Sequence, residues 1–214
     1  MASDNPLLRH MGVQDFFGGL VEDDAPHGEI HVVGLGGALN EGSSSERLLR
    51  YALERCAERG ANTSIFTGGD LDLPIYAPFN DERTDKAKRM IEALRAANGI
   101  ILCSPCYHGT VSGLIKNAID YVQDMYKDEA PYFEGRAVGL IAAAGGWQAT
   151  GSTLATLRAI THSLRGWPTP MAVAVNTSLP VFDEAKTIVD EQVKTQLDIM
   201  AEQVVTFAGM SARR

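Results

Sequence analysis

The feature that most constrains this sequence is an alternation, met five times from Glu29 onward, between short β-branched runs and longer amphipathic segments. Ile30-His31-Val32-Val33-Gly34 has the composition of a strand. Ser43 then offers a helix cap, with Glu46 placed for a capping box, ahead of Leu48, Leu49, Ala52, Leu53 and Cys56 at helical spacing; Gly60 stops that helix. The pattern recurs as a strand over Thr63 to Thr67, a helix over Thr84 to Asn98 and a strand over Ile100 to Ser104. Ser112 caps a third helix carrying Leu114, Ile115, Ala118, Ile119 and Val122. Ala137 to Ala144 is apolar throughout, as a strand covered on both faces should be. Ser152 is the expected cap of a fourth helix, ended by Gly166 and Pro168. Met171 to Val175 makes the fifth strand, and a long last helix is expected from Asp183 to about Phe207, with Glu184, Asp190 and Glu191 on its solvated face. Parallel strands need right-handed crossovers, so the expected fold class is α/β, a doubly wound five-stranded parallel sheet with helices on both faces.

Composition narrows the partners. The 214 residues suit one domain, expected over residues 29–214, with residues 1–28 a separable arm, mobile or intersubunit. A net charge of −8 opposes both nucleic acid and anionic membrane. The apolar runs fall far short of the roughly 20 residues that span a bilayer. Residues 1–28 mix Phe16, Phe17 and Leu20 with glycines and the acids Glu22, Asp23 and Asp24, unlike an export signal. Cys56, Cys103 and Cys106 are then expected to stay reduced, which points to the cytoplasm.

Open α/β sheets bind ligands beyond the carboxyl ends of their strands, at the point where the strand order reverses. Five strands fit the flavodoxin-like order 2-1-3-4-5, which places that point between strands one and three. Two polar, glycine-rich loops would meet there: Gly36 to Ser45 and Ser104 to Gly109. The first, containing Gly37, runs into a helix start, where unpaired amides and the positive dipole end favour an anion such as phosphate. It is no Walker loop, because no Lys-Ser/Thr pair follows its glycines. It is also a poor dinucleotide fingerprint, with Leu39 where the third glycine would stand.

The second loop and its helix, Ser104-Pro105-Cys106-Tyr107-His108-Gly109 followed by Gly113-Leu114-Ile115-Lys116-Asn117-Ala118-Ile119-Asp120, resemble the signature of the NAD(P)H-dependent FMN reductase family. Its members carry a Ser/Thr-Pro-x-Tyr-Asn/His-Gly turn and then Gly-x-Leu-Lys-Asn-Ala-x-Asp. The likeness extends to the first loop, to Leu73-Pro74-Ile75-Tyr76 and to the turn after strand four, spanning about Glu29 to Asn176. It implies a flavodoxin-like fold binding FMN, with NADPH or NADH as co-substrate. Gly37, Asn40, Ser43 and Ser45 fall in the loop where family members hold the phosphate. Pro105, Cys106, Tyr107, His108 and Gly109 fall against the ring, and Gly145, Gly146, Trp147 and Gln148 on a third contact loop. The family often has Gly-Ser-Leu-Arg where this chain has Gly37-Ala38-Leu39-Asn40, which removes a hydroxyl and a cation; Arg47 is a candidate substitute.

No protein side chain is expected to act as a catalyst and no metal is expected, since the flavin carries the redox chemistry. Cys103-Ser104-Pro105-Cys106 lacks the helix-start setting of a working dithiol, and without a second pair is weak as a zinc site. Lys116 and Asp120 are spaced for an ion pair on one helix face. The resemblance implies hydride transfer from nicotinamide to FMN and on to a small-molecule acceptor: free flavin, including one destined for a flavin-dependent monooxygenase, or a quinone or similar. It also implies a homodimer or homotetramer, for which Ile115, Ile119 and Val122 are candidate contact residues. Rival readings are a flavodoxin-like FMN electron carrier without nicotinamide turnover and a non-catalytic flavin-binding protein.

Overall fold

A computed structural model describes residues 29–211. The arm expected over residues 1–28 lies outside the described residues. The strands are β1 (His31–Gly36), β2 (Asn62–Thr67), β3 (Gly99–Tyr107), β4 (Thr110–Val111), β5 (Ala137–Ala144) and β6 (Trp167–Asn176). The α-helices are α1 (Ser44–Glu58), α2 (Asp85–Ala96), α3 (Gly113–Asp120), α4 (Trp147–Ser163) and α5 (Glu191–Ser211). The sheet runs β2-β1-β3-β5-β6, all parallel, with β4 folded back antiparallel on β3. With β4 set aside, this is the expected order 2-1-3-4-5.

Alternating side chains feed two cores. Val32, Ile101, Cys103, Ile141, Ala143 and Val173 face α1 and α5, where Leu49, Leu53, Leu197, Met200 and Val204 meet them. Val33, Leu35, Ile100, Leu102, Val138 and Leu140 face the opposite layer, which includes Met90, Leu94, Ile115 and Leu157. Close approach of α1 is possible because β1 ends in glycine. A Cβ on Gly36 would stand 2.8 Å from the Cys103 carbonyl oxygen and 2.8 Å from Leu49 Cδ2.

Several expected boundaries shift for local reasons. Helix α4 begins at Trp147 with Gly146 as its cap residue, and Ser152 sits inside it, bonding back to the Ala149 carbonyl at 3.0 Å. It ends at Ser163, and Pro168 and Pro170 belong to β6, an edge strand, where a missing N–H is tolerated. The last helix starts at Glu191 because Asp190 caps it, accepting from the amides of Gln192 at 2.9 Å and Val193 at 3.0 Å. Residues 183–190 turn instead, closed by Asp183 accepting from the Thr187 amide at 2.7 Å and by a Phe182–Ile188 bridge. Ile115, Ile119 and Val122 are buried in the core, so they offer no surface to a second copy. No helix among the described residues is long and apolar enough to cross a membrane.

Candidate active site

The strand register brings the expected loops to one edge. Gly36 lies beside Cys103, Pro105 beside Ala143, and Ala144 beside Asn176, so the segments that leave β1, β3, β5 and β6 emerge as neighbours. The switch point falls between β1 and β3, where the chain crosses from one side of the sheet to the other.

Loop 37–43 is built around the start of α1. Gly37 has φ +93°, a conformation that favours glycine, and turns the chain directly off the strand. Ser43 caps the helix, its Oγ accepting from the Glu46 amide at 3.3 Å, and a second 3.3 Å contact joins it to Ser45 Oγ. Ser45 is buried and its carbonyl accepts from the Cys103 thiol at 3.1 Å, which ties the helix start to β3. Asn40 is exposed on the loop. The capping box is displaced by one residue: Glu46 Oε2 accepts from the amide of Gly42, at 2.8 Å. Arg47 donates through Nε to the Gly42 carbonyl at 2.7 Å and through a terminal nitrogen to the Lys186 carbonyl at 3.3 Å. Its guanidinium therefore ties the loop at Gly42 to the segment around Lys186.

The second loop is a hairpin, which sequence reasoning missed. Cys106 pairs with Val111 and Tyr107 with Thr110, leaving His108 at φ +51° and Gly109 at φ +85° as the two turn residues. Two positive φ values in a two-residue turn define type I′, and the His-Gly pair resembles the Asn-Gly pair favoured there; that was the available signal. Ser104 is fully buried and fixes the stem, accepting from the Ser112 amide at 3.0 Å and donating to the Pro105 carbonyl at 2.7 Å. Thr110 reaches α4 through a 3.3 Å hydroxyl contact with Thr156. The tip, Tyr107 to Thr110, is exposed, while Pro105 and Cys106 are half-buried.

The third loop contributes Gly145 and Gly146, then Trp147 and Gln148 as the first residues of α4. Trp147 is 59% exposed, so it is no core aromatic. Tyr107 at 54% and Leu39 at 57% are exposed beside it on this rim.

The thiols do not work as a pair. Cys103 and Cys106 are three positions apart on β3, so their side chains leave opposite faces with Cα atoms about 10 Å apart, beyond disulfide reach. Burial pushes the Cys103 thiol well above its usual range, which disfavours the thiolate a redox reaction needs. Lys116 and Asp120 form the expected surface ion pair at 2.6 Å.

A cavity of about 270 Å³ lies elsewhere, lined by Pro74, Ile75, Asn80, Arg83 and Tyr121 among others, and none of the expected flavin contacts borders it. Its cation is already engaged, because Arg83 donates to both oxygens of Asp124, at 2.6 and 2.9 Å.

A flavin phosphate suits the donor set of the first loop: a helix start, two serine hydroxyls and a glycine-bent backbone. The ring suits the exposed aromatic rim and the hairpin edge.

Such a site on such a sheet defines a flavin-binding oxidoreductase. Residues 30–179 match the family described as NADPH-dependent FMN reductase, and the chain belongs to that family. An FMN-dependent NADPH-azoreductase of Staphylococcus aureus is 30% identical over 182 residues, covering 82% of this chain and 93% of the relative. In fold the chain is similar to an oxidoreductase from Corynebacterium diphtheriae, with TM-score 0.66, 19% identity, and coverage of 85% and 97% of the two chains. It is also similar to the apo form of an NADH:FMN oxidoreductase, EmoB, with TM-score 0.60, 22% identity, and coverage of 80% and 88%.

Proposed function

We propose that the chain binds FMN across the three loops, takes hydride from NADPH or NADH, and delivers electrons to a small acceptor. The observation that carries this reading is the convergence, at the β1–β3 switch point, of an anion-type helix start and a hairpin flanked by the exposed rings of Tyr107 and Trp147. Gly37, Asn40, Ser43 and Ser45 hold the phosphate. Pro105, Cys106, Tyr107, His108 and Gly109 bound one edge of the ring, and Gly145, Gly146, Trp147 and Gln148 the other. FMN, when bound, supplies the two-electron acceptor for nicotinamide hydride, so the protein needs no titrating catalyst. The chain's own contribution is alignment: the Ser104–Ser112 bond and the type I′ turn hold the hairpin rigid, and the aromatic rim excludes water from the face where the second ring must stack.

Candidate acceptors are free flavin, including flavin passed to a monooxygenase, a quinone, or an azo compound like those implied by the name of the Staphylococcus relative. The active species is a homodimer or homotetramer acting in the cytoplasm; the three unpaired cysteines suit a reducing compartment.

The test is anaerobic mixing of the FMN-loaded protein with each nicotinamide in turn, following loss of flavin absorbance. Bleaching on a catalytic timescale supports the reductase. Stable binding without bleaching would replace it with the electron-carrier reading. Parallel titrations of the apo-protein should show FMN bound more tightly than FAD.

A further inference from the structure

The loop expected to hold the phosphate carries an exposed acid, Glu41, and meets a second, buried anion where it enters α1. Glu46, at the third position of α1, is 6% exposed and turns its carboxylate back toward the loop. Oε2 accepts from the Gly42 amide at 2.8 Å, and Oε1 accepts from Arg50 at 2.7–2.8 Å. The loop itself, residues 37–45, has no Lys or Arg. Arg47, the nearest candidate cation in sequence, is committed to the carbonyls of Gly42 and Lys186. An incoming phosphate dianion would thus meet a helix start whose neighbouring amide already has a charged acceptor, and the cations beside it are held in place, Arg47 on the Gly42 carbonyl and Arg50 on Glu46 itself.

We propose that Glu46 is a specificity-determining residue for the flavin phosphate. Its carboxylate acts as an internal anion that competes for the loop, so the chain discriminates weakly between FMN and a flavin lacking the phosphate. The inference rests on the reading that loop 37–45 is the phosphate cradle. Arg50 moderates the effect, because it neutralises Glu46 from the oxygen that Gly42 does not use.

The experiment is fluorescence titration of the apo-protein with FMN and with riboflavin, in the wild type and in three variants. Glu46→Gln keeps an acceptor for the Gly42 amide and removes the charge. It should tighten FMN by about tenfold and leave riboflavin unchanged, in line with removal of one like charge near a surface site. Arg50→Met is half-exposed in the wild type, so the fold should survive it even if Glu46→Gln misfolds. It unmasks the carboxylate and should weaken FMN severalfold, again without moving riboflavin. Opposite shifts of the FMN-to-riboflavin ratio in these two variants are the expected result. An unchanged ratio in Arg50→Met, or in a folded Glu46→Gln protein, overturns the proposal. Ser45→Ala then separates the two layers of argument. If it weakens FMN alone, the cradle stands and the role of Glu46 falls; if it too leaves the ratio unmoved, the cradle reading falls with it.

Discussion

At the scale of single residues, the hairpin tip separates what the fold needs from what the ligand needs. His108 and Gly109 both sit in the left-handed region. Gly109→Ala meets open space, so its cost should be conformational alone, about 1–2 kcal/mol in thermal unfolding. His108→Asn suits a type I′ turn at least as well and should leave the melting temperature nearly unchanged. A loss of FMN affinity in that variant then belongs to the imidazole and not to the turn. The thiols give a second prediction. Replacing both Cys103 and Cys106 with Ser should leave the flavin reduction rate largely intact, because the two side chains leave opposite faces of β3. Stopped-flow reduction of the folded double variant would reveal a dithiol relay as a loss of several orders of magnitude. Burial also pushes the Cys56 thiol up to about 12. Its folded value lies above the unfolded one near 8.5, so the stability it contributes is complete at neutral pH. That stability should fall by roughly 1.4 kcal/mol per pH unit between about pH 9 and 12, as the unfolded chain loses the proton first. Denaturant midpoints measured across that range should decline less steeply in Cys56→Ala, after its constant packing cost is subtracted.

At the scale of elements, Asn117 shows how a signature residue can serve the scaffold. Its side-chain amide donates to the carbonyls of Leu73 at 3.2 Å and Pro74 at 2.9 Å and accepts from the Tyr76 amide at 2.9 Å. Tyr121 adds a hydroxyl bond to Pro74 at 3.0 Å, and the Arg83 guanidinium lies over the rings of both Tyr76 and Tyr121. The Leu-Pro-Ile-Tyr segment is thereby latched to α3, the helix that follows the hairpin. Asn117→Ala should cost about 1–3 kcal/mol, since the Leu73 carbonyl and the Tyr76 amide lose their partner while the Pro74 carbonyl keeps the Tyr121 hydroxyl. The Tyr76 amide should also exchange hydrogen faster than core strand amides, which a purely global destabilisation would not produce. Spacing made the five strands and the caps Ser43 and Ser112 legible, because apolar period and capping chemistry are local. What stayed hidden depends on distant partners. Helix α4 starts five residues before Ser152 because its first turn carries exposed Trp147 and Gln148 in place of a capping side chain. Residues 183–190 have an apolar rhythm resembling a helix, yet the Asp183 and Asp190 carboxylates bind amides that break it into a turn. The loops that converge at the switch point were readable from glycine and signature residues. The inward turn of Glu46 was not, since spacing suggested a bond to its own cap and the structure uses Gly42.

At the scale of the whole molecule, exposed apolar groups are unevenly distributed. Leu39, Ile75, Phe79, Tyr107, Trp147 and Leu179 are all exposed, and they lie on segments leaving the carboxyl ends of β1, β2, β3, β5 and β6. A sheet of this kind has no packing reason to concentrate such groups at one edge, because its cores are closed by helices on the two faces. On the function proposed above, an apolar rim there would shield a flat ligand from water and would offer a second copy of the chain a surface continuous with the site. Ile75, at 83% exposed, stands on the strap that Asn117 holds down, and Phe79, at 101%, follows three residues after Tyr76, the last residue the latch reaches. Replacing both with Glu should spare the fold, since neither side chain is buried in the single chain. Light scattering at micromolar concentration should then show a smaller species than the wild type, and the rate of flavin reduction should drop with it if the partner copy helps close the site. A double variant that keeps the wild-type mass would move the contact surface to another face, such as the Trp167–Phe207 pair at the opposite end of the sheet.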